Sequence, residues 1–408
     1  MTELIKIEKR KRTLCNKSRS AISLAIVLLV FLLVVISALL GLDLFISRND
    51  VATTAISTDV LTSQVTLIAP TTTTLTDVTS VTRTVLVTST LQGIIPPINE
   101  VLISNVSLPE YTWAVAVNSN TNTIYAASPL ANLTVIDGST NQITASISLG
   151  PLGSNYVAID SALNLVYSGN AVINGTDDKI IDHLPYNITN LAVDSQTGLI
   201  FALSPDFAPR GNTSLLILNA HNDSLEARQL LNGSATTLAV NPATNMVYIP
   251  ICTKGNVCAP TYVIAVNGTS FHPQAKILVD SSGSSGIPFS IAVNSQTNMI
   301  YMTDQKLVSI NGTTNTVTAE TVVSAYTIQC RGVAVNEKYN EVYVAGWGFG
   351  NYGSFFIVNG QNYSLLNAFA GTGQPVGITY DQTNSGIYVA NSQTKSILAL
   401  NSTAFDQA

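Results

Sequence analysis

Val115-Ala-Val-Asn-Ser-Asn-Thr-Asn-Thr-Ile-Tyr-Ala-Ala-Ser128 is a short apolar run closed by Asn118, then a polar turn, then a second apolar run carrying Tyr125. The same outline returns six more times. The closing residues are Asn118, Asp160, Asp194, Asn241, Asn294, Asn336 and Asp381, and seven positions after each comes Tyr125, Tyr167, Phe201, Tyr248, Tyr301, Tyr343 or Tyr388. Successive aromatics are 42, 34, 47, 53, 42 and 45 residues apart, so insertions fall between copies and not inside them. A fixed core with elastic spacers marks a repeated supersecondary unit.

Working outward, each aromatic is followed by a β-rich run, a turn, and another β-rich run, as in Leu133 to Leu149. Asp137-Gly138, Asn174-Gly175, Asn267-Gly268, Asn311-Gly312 and Asn359-Gly360 mark the turns, with Asn219-Ala220 and Asn401-Ser402 as weaker versions. Glycine there is expected to supply a positive φ. Four short strands in roughly 44 residues, seven times over, predict an all-β, seven-bladed β-propeller, with an open solenoid as the alternative. The last copy stops after its third strand, Ile397 to Leu400, while an orphan strand precedes the first copy, from Val101 to Pro109. Pairing the two would complete the seventh blade and remove an open sheet edge.

At these residues a family resemblance enters. Asp381-Gln-Thr-Asn384 with Ile387-Tyr-Val-Ala-Asn-Ser392, and Val135-Ile-Asp-Gly-Ser-Thr-Asn141, resemble the YVTN repeat of archaeal surface-layer and related seven-bladed propeller proteins. The resemblance covers about 101–408, although Phe201-Ala-Leu-Ser, Tyr248-Ile-Pro and Tyr301-Met-Thr-Asp drift from the pattern. It implies a propeller and a surface location, and no single activity.

Ahead of the propeller, residues 1–20 are basic, holding seven Lys/Arg against two Asp/Glu, with a run from Lys9 to Arg12. Residues 21–45 are Leu/Val/Ile-rich and uncharged until Asp43, long enough for one transmembrane helix. The basic flank predicts a cytoplasmic amino terminus and an extracellular propeller. Lys17-Ser-Arg-Ser-Ala-Ile-Ser23 also resembles a class III signal, cut near Ser20-Ala21, which keeps a pilin-like accessory or tip subunit open. Residues 46–98 read as an extracellular stalk, since nearly half of 51–90 is Thr or Ser.

Charged residues make up 10 % of the chain, and beyond residue 20 there are eleven Lys/Arg against twenty-two Asp/Glu. That balance argues against a nucleic-acid partner. Eleven Asn-X-Ser/Thr sequons (Asn105, Asn132, Asn174, Asn187, Asn212, Asn222, Asn232, Asn267, Asn311, Asn362 and Asn401) predict a glycoprotein. Cys252 and Cys258, six apart in an insertion of the fourth blade, are expected to form a disulfide; Cys330 is expected in the core.

No motif for nucleophilic catalysis, phosphate cradling or zinc binding stands out, so no cofactor and no metal are expected. His183, His221 and His272 read as surface residues in separate blades, and the recurring Asn/Asp set reads as turn chemistry. Loop length is the remaining signal. Connections between second and third strands are long in blade 3 (Asp206, Arg210), blade 4 (Cys252 to Cys258) and blade 6 (Trp347, Phe349, Tyr352), all on the face that also carries the inter-blade links. Loop aromatics among glycines suit contacts to a glycan or an envelope protein. Trp113 and Tyr111 read as core. The expected function is a membrane-anchored extracellular binding or adhesion module, not an enzyme. A lactonase, lyase or quinoprotein type of propeller enzyme stays open as the alternative, with Asp206, Arg210, Asp304 and Arg331 as its charged candidates.

Overall fold

The structure, a computed structural model, describes Thr84–Leu86 and residues 101–402, apart from 152, 206–210, 254–257, 259, 281–287, 322–326 and 349–352. The basic segment, the apolar run 21–45, most of the stretch read as a stalk, and Asp206, Arg210, Phe349 and Tyr352 therefore lie outside the described residues. Among the described residues no helix is long and apolar enough to cross a membrane.

Among the described residues seven sheets follow one another along the chain, each built on one sequence copy whose own strands pair antiparallel. Blade 1 shows the plan: Ala114–Asn118 pairs Thr123–Ala127, which pairs Asn132–Asp137, which pairs Gln142–Ser148 at the rim. The second strands are apolar at consecutive positions because a neighbouring blade covers each face. In blade 6, Val342 and Val344 pack toward blade 5 while Tyr343 and Ala345 pack toward blade 7. The repeat aromatics are the largest of these wedges. Tyr125, Tyr167, Phe201, Tyr248, Tyr301 and Tyr343 are fully buried and Tyr388 nearly so. Burying a ring of this size contributes about 1.5–3 kcal/mol, offset in part at Tyr125 and Tyr167, whose hydroxyls are buried without a partner.

The ring is closed. Leu102–Ser107 pairs antiparallel with Ser396–Asn401, so the leading strand is the outer strand of blade 7. The core divides into seven apolar clusters, one per blade interface, and one of them joins Tyr388, Ala390 and Ile397 of blade 7 to Val115, Ile124 and Ala126 of blade 1. An open solenoid would leave that interface unmade.

One pairing adds to the expected plan, and one local expectation is corrected. Thr84–Leu86, inside the stretch read as a stalk, runs parallel to Thr316–Thr321 and adds a fifth strand to blade 5. A Thr-Val-Leu segment is β-prone, and the rim strand offers it free backbone groups. The correction concerns the glycines of the outer turns. Gly138, Gly175, Gly268, Gly312 and Gly360 are absent from the positive-φ positions, which fall on Asn141, Asp178, Phe271, Asn315 and Tyr363 instead. Glycine is required for room: a Cβ at Gly138 would meet the backbone oxygen of Asn122 at 2.7 Å and its side-chain amide closer still.

Candidate functional site at the channel mouth

Each closing Asn or Asp serves its own turn first. Asn118 Oδ1 accepts from the Asn120 N–H at 3.1 Å, and Asp160, Asp194, Asn241, Asn294, Asn336 and Asp381 accept turn amides in the same way. This fixes one end of every innermost strand. At the other end the seven strands converge on the mouth of the central channel, the face of the inter-blade links.

The position five residues ahead of the closing Asn/Asp is Trp113, Asn155, Thr189, Thr236, Phe289, Arg331 and Val376 in blades 1 to 7. All seven line a single cavity of about 550 Å³ at that mouth. In every blade this position falls ahead of the inner strand's regular pairing or at a break in it, although the Trp113, Thr189 and Phe289 amides still donate to the second strand. It immediately precedes Ala114–Asn118, Asn190–Asp194 and Ser290–Asn294, and stands ahead of Ala158–Asp160. In blade 4 it falls between Ser234–Ala235 and Ala239–Asn241. In blades 6 and 7 it is the extra residue where pairing shifts, between Cys330 and Gly332 and between Pro375 and Gly377. A residue outside the ladder, or on a bulge, has its side chain re-aimed, here into the channel mouth.

Part of the rim is tied in place. The Asn190 side-chain amide donates to Thr236 O at 3.0 Å, and the Thr236 hydroxyl donates to Pro288 O at 2.8 Å, linking blades 3, 4 and 5. The Thr303 hydroxyl lies 3.3 Å from Arg331 O, holding blade 6 to blade 5. On this scaffold the Arg331 guanidinium carbon sits 3.9 Å from the Phe289 ring centre and 4.5 Å from that of Trp347. Both contacts are cation–π in kind. Arg331 Nε is buried with no hydrogen-bond partner, and no carboxylate of the described residues pairs with the side chain. Burial lowers its pKa from the ordinary guanidinium value, because the charged form loses water.

Of the residues singled out from sequence, Trp347 is half-buried on the second strand of blade 6 and reaches this site through Arg331. Trp113 is not core: it is 47 % exposed and lines the cavity. Tyr111 is 45 % exposed, with Lys395 Nζ 4.7 Å from its ring centre. Both precede the first blade's inner strand instead of lying in it, and their side chains fall outside the apolar clusters between blades. Asp304 is buried in blade 5, where its carboxylate accepts the Lys306 amide. Cys330 is a buried free thiol, its pKa raised by burial. His183, His221 and His272 are exposed on three different blades.

Cys252 and Cys258 form a disulfide at the end of the second strand of blade 4, with Cα atoms 4.5 Å apart. Among the sequons, Asn105, Asn187, Asn222, Asn232 and Asn362 are exposed, whereas Asn174, Asn267 and Asn311 accept turn amides through Oδ1. Among the described residues no three His, Cys, Asp or Glu side chains gather in a metal-binding arrangement.

No family model matches the chain, and no curated protein matches it. Solved structures do. Hydrazine synthase of Kuenenia stuttgartiensis superposes with a TM-score of 0.62 at 10 % identity, over 72 % of this chain and 96 % of that one. The β-propeller domain of Cps50 (Swd1) from Myceliophteria thermophila superposes with a TM-score of 0.55 at 8 % identity, over 73 % of this chain and 98 % of that one. At these identities the likeness is one of fold, and propellers host unrelated activities.

Proposed function

We propose that this chain is a cell-surface binding module of the YVTN-repeat kind, anchored by residues 21–45 and presenting the channel mouth to a glycan or protein of the cell envelope. The observation that carries the reading is the convergence of one residue from every blade on a single cavity, with an aromatic-flanked arginine and an exposed tryptophan among them. Concave sites with a few convergent polar groups are where propellers and other scaffolds bind ligands. The anchor rests on the apolar run behind a basic flank, and the extracellular side on the sequons and low charge content. The family assignment rests on the in-phase copies.

Full-length protein should sediment with membranes, resist carbonate extraction, and retain isolated envelope material through its exposed domain. Trp113→Ala and Trp347→Ala should each weaken that retention about tenfold while leaving the thermal transition in place. Unchanged retention in both would remove the mouth as the binding face, and release by carbonate would remove the anchor. Mass spectrometry of the mature amino terminus decides the pilin-like variant of the reading, for which residues 17–23 give the motive: a start at Ala21 supports it.

A further inference from the structure

Arg331 has a particular set of free valences. The Phe289 and Trp347 rings lie 3.9 and 4.5 Å from its guanidinium carbon, and the N–H donors of a guanidinium all lie in its own plane, so the directions left for a ligand lie in that plane. One in-plane donor, Nε, is already out of water and has no acceptor. In-plane guanidinium donors are matched by an oxyanion with two parallel oxygens, and the match is strongest when the arginine is held flat. Among the described residues lining the cavity, Arg331 is the one cation, so a singly charged carboxylate suits the site better than a phosphate dianion.

The rest of the wall indicates what bears the carboxylate. The Thr189 and Thr236 hydroxyls give their hydrogens to Leu203 O and Pro288 O and keep lone pairs to accept. The Asn155 and Asn190 amides can both donate and accept, a mixture that suits hydroxyl groups, and Trp113 offers an exposed ring for stacking. The cavity has the size of a small-ligand site. Val376, Ala235 and Pro205 are the aliphatic contributions, small side chains that form no deep pocket for the apolar anchor of a peptide. Deepening the reading of the mouth as a binding face, and resting on it, we infer that the mouth takes an acidic carbohydrate: a sugar carboxylate meets the in-plane edge of Arg331 while a neighbouring ring stacks on Trp113. Non-specific polyanion attraction is disfavoured by the chain's own net charge of −6, so affinity has to come from these local contacts.

The test uses full-length protein in detergent and an immobilised panel of uronate and sialylated oligosaccharides, each beside its carboxyl-reduced neutral counterpart, together with poly-glutamate as an acidic peptide. Wild type should hold at least one acidic oligosaccharide about tenfold more tightly than its neutral form, and should ignore poly-glutamate. Arg331→Gln should abolish the preference for the acid, Arg331→Lys should recover part of it, and Trp113→Ala should weaken acidic and neutral forms alike. Equal binding of acid and neutral forms, binding of none of the acidic sugars, or stronger capture by poly-glutamate overturns the inference. If Arg331→Gln still retains envelope material while Trp113→Ala does not, the binding face stands and the acidic ligand falls; if both retain it, the binding face falls too.

Discussion

Asp194 stands where Asn118, Asn241 and Asn294 make a bond that an aspartate cannot. Each of those asparagines donates Nδ2 to the Oδ1 of an asparagine in the next blade, Asn164, Asn298 and Asn340, at 2.8 Å. The acceptor lies four residues past that blade's own closing residue, in the left-handed region that asparagine tolerates. Asp194 precedes Asn245, which has this role in blade 4. Asn245 spends Nδ2 on Thr269 at 2.7 Å, and its Oδ1 is buried without a partner, as is Asp194 Oδ2. Asp194→Asn should therefore supply the missing donor across the blade 3–4 interface. The gain should be about 1 kcal/mol and roughly 2 °C in Tm, measured by calorimetry on wild type and variant. Asp160→Asn is the control, because blade 3 has Gly198 at the receiving position and offers no side-chain acceptor. If both substitutions act alike, the inter-blade bond is not what distinguishes Asn from Asp at this position.

Between strands, the two turns of one blade end lock together. The amide of the residue after each outer-turn Asp or Asn donates to the backbone oxygen of the left-handed turn residue: Gly138 to Asn122, Gly268 to Asn245, Ala220 to Gly198. Where the left-handed residue is asparagine, its side chain fills the space over the outer turn and glycine stands opposite; where it is Gly198, the opposing residue is Ala220. The pair thus exchanges one side chain for the other. Gly138→Ala should cost about 1–3 kcal/mol by overpacking against Asn122, while Ala220→Gly should cost under about 1 kcal/mol, read from urea unfolding of each variant. Equal losses would mean that the crowding at Gly138 relaxes freely. These turns were legible as turns from Asp137-Gly138 and its relatives, but the reason for glycine was not, because sequence spacing shows φ preferences and hides which turn lies beside which. The site was legible in a similar half-measure. The repeat register, counted back five from Asn118 through Asp381, names every rim residue, yet the types found there (Trp, Asn, Thr, Thr, Phe, Arg, Val) share no chemistry that a motif search could catch. Trp113 looked like core because an apolar strand follows it directly.

Closure is a property of the whole molecule, and the strand that provides it is short. Leu102–Ser107 presents alternate residues to opposite faces: Val106 is buried in the cluster between blades 7 and 1, whereas its neighbour Asn105 is exposed. In a closed ring this strand stands in the interface that joins blade 7 to blade 1, and every blade has two neighbours. A carboxylate at 106 would enter that interface with no partner, besides removing the apolar contact to Ile397 and its surroundings. Val106→Asp should therefore cost about 3 kcal/mol or more. Asn105→Asp, one residue away on the exposed face, should stay within about 0.5 kcal/mol of wild type when all three proteins are made in a host that attaches no glycan. Loss of closure also has a local signature. Limited proteolysis of Val106→Asp should cut first at the two joined ends, near 101–109 and 396–401, before the inner strands of blades 2 to 5, because cooperative units open where their contacts have been removed. If the two substitutions destabilise equally, or if Val106→Asp is first cut in the middle of the chain, the leading strand does not hold the ring shut, and the channel mouth would no longer be a site assembled from all seven blades.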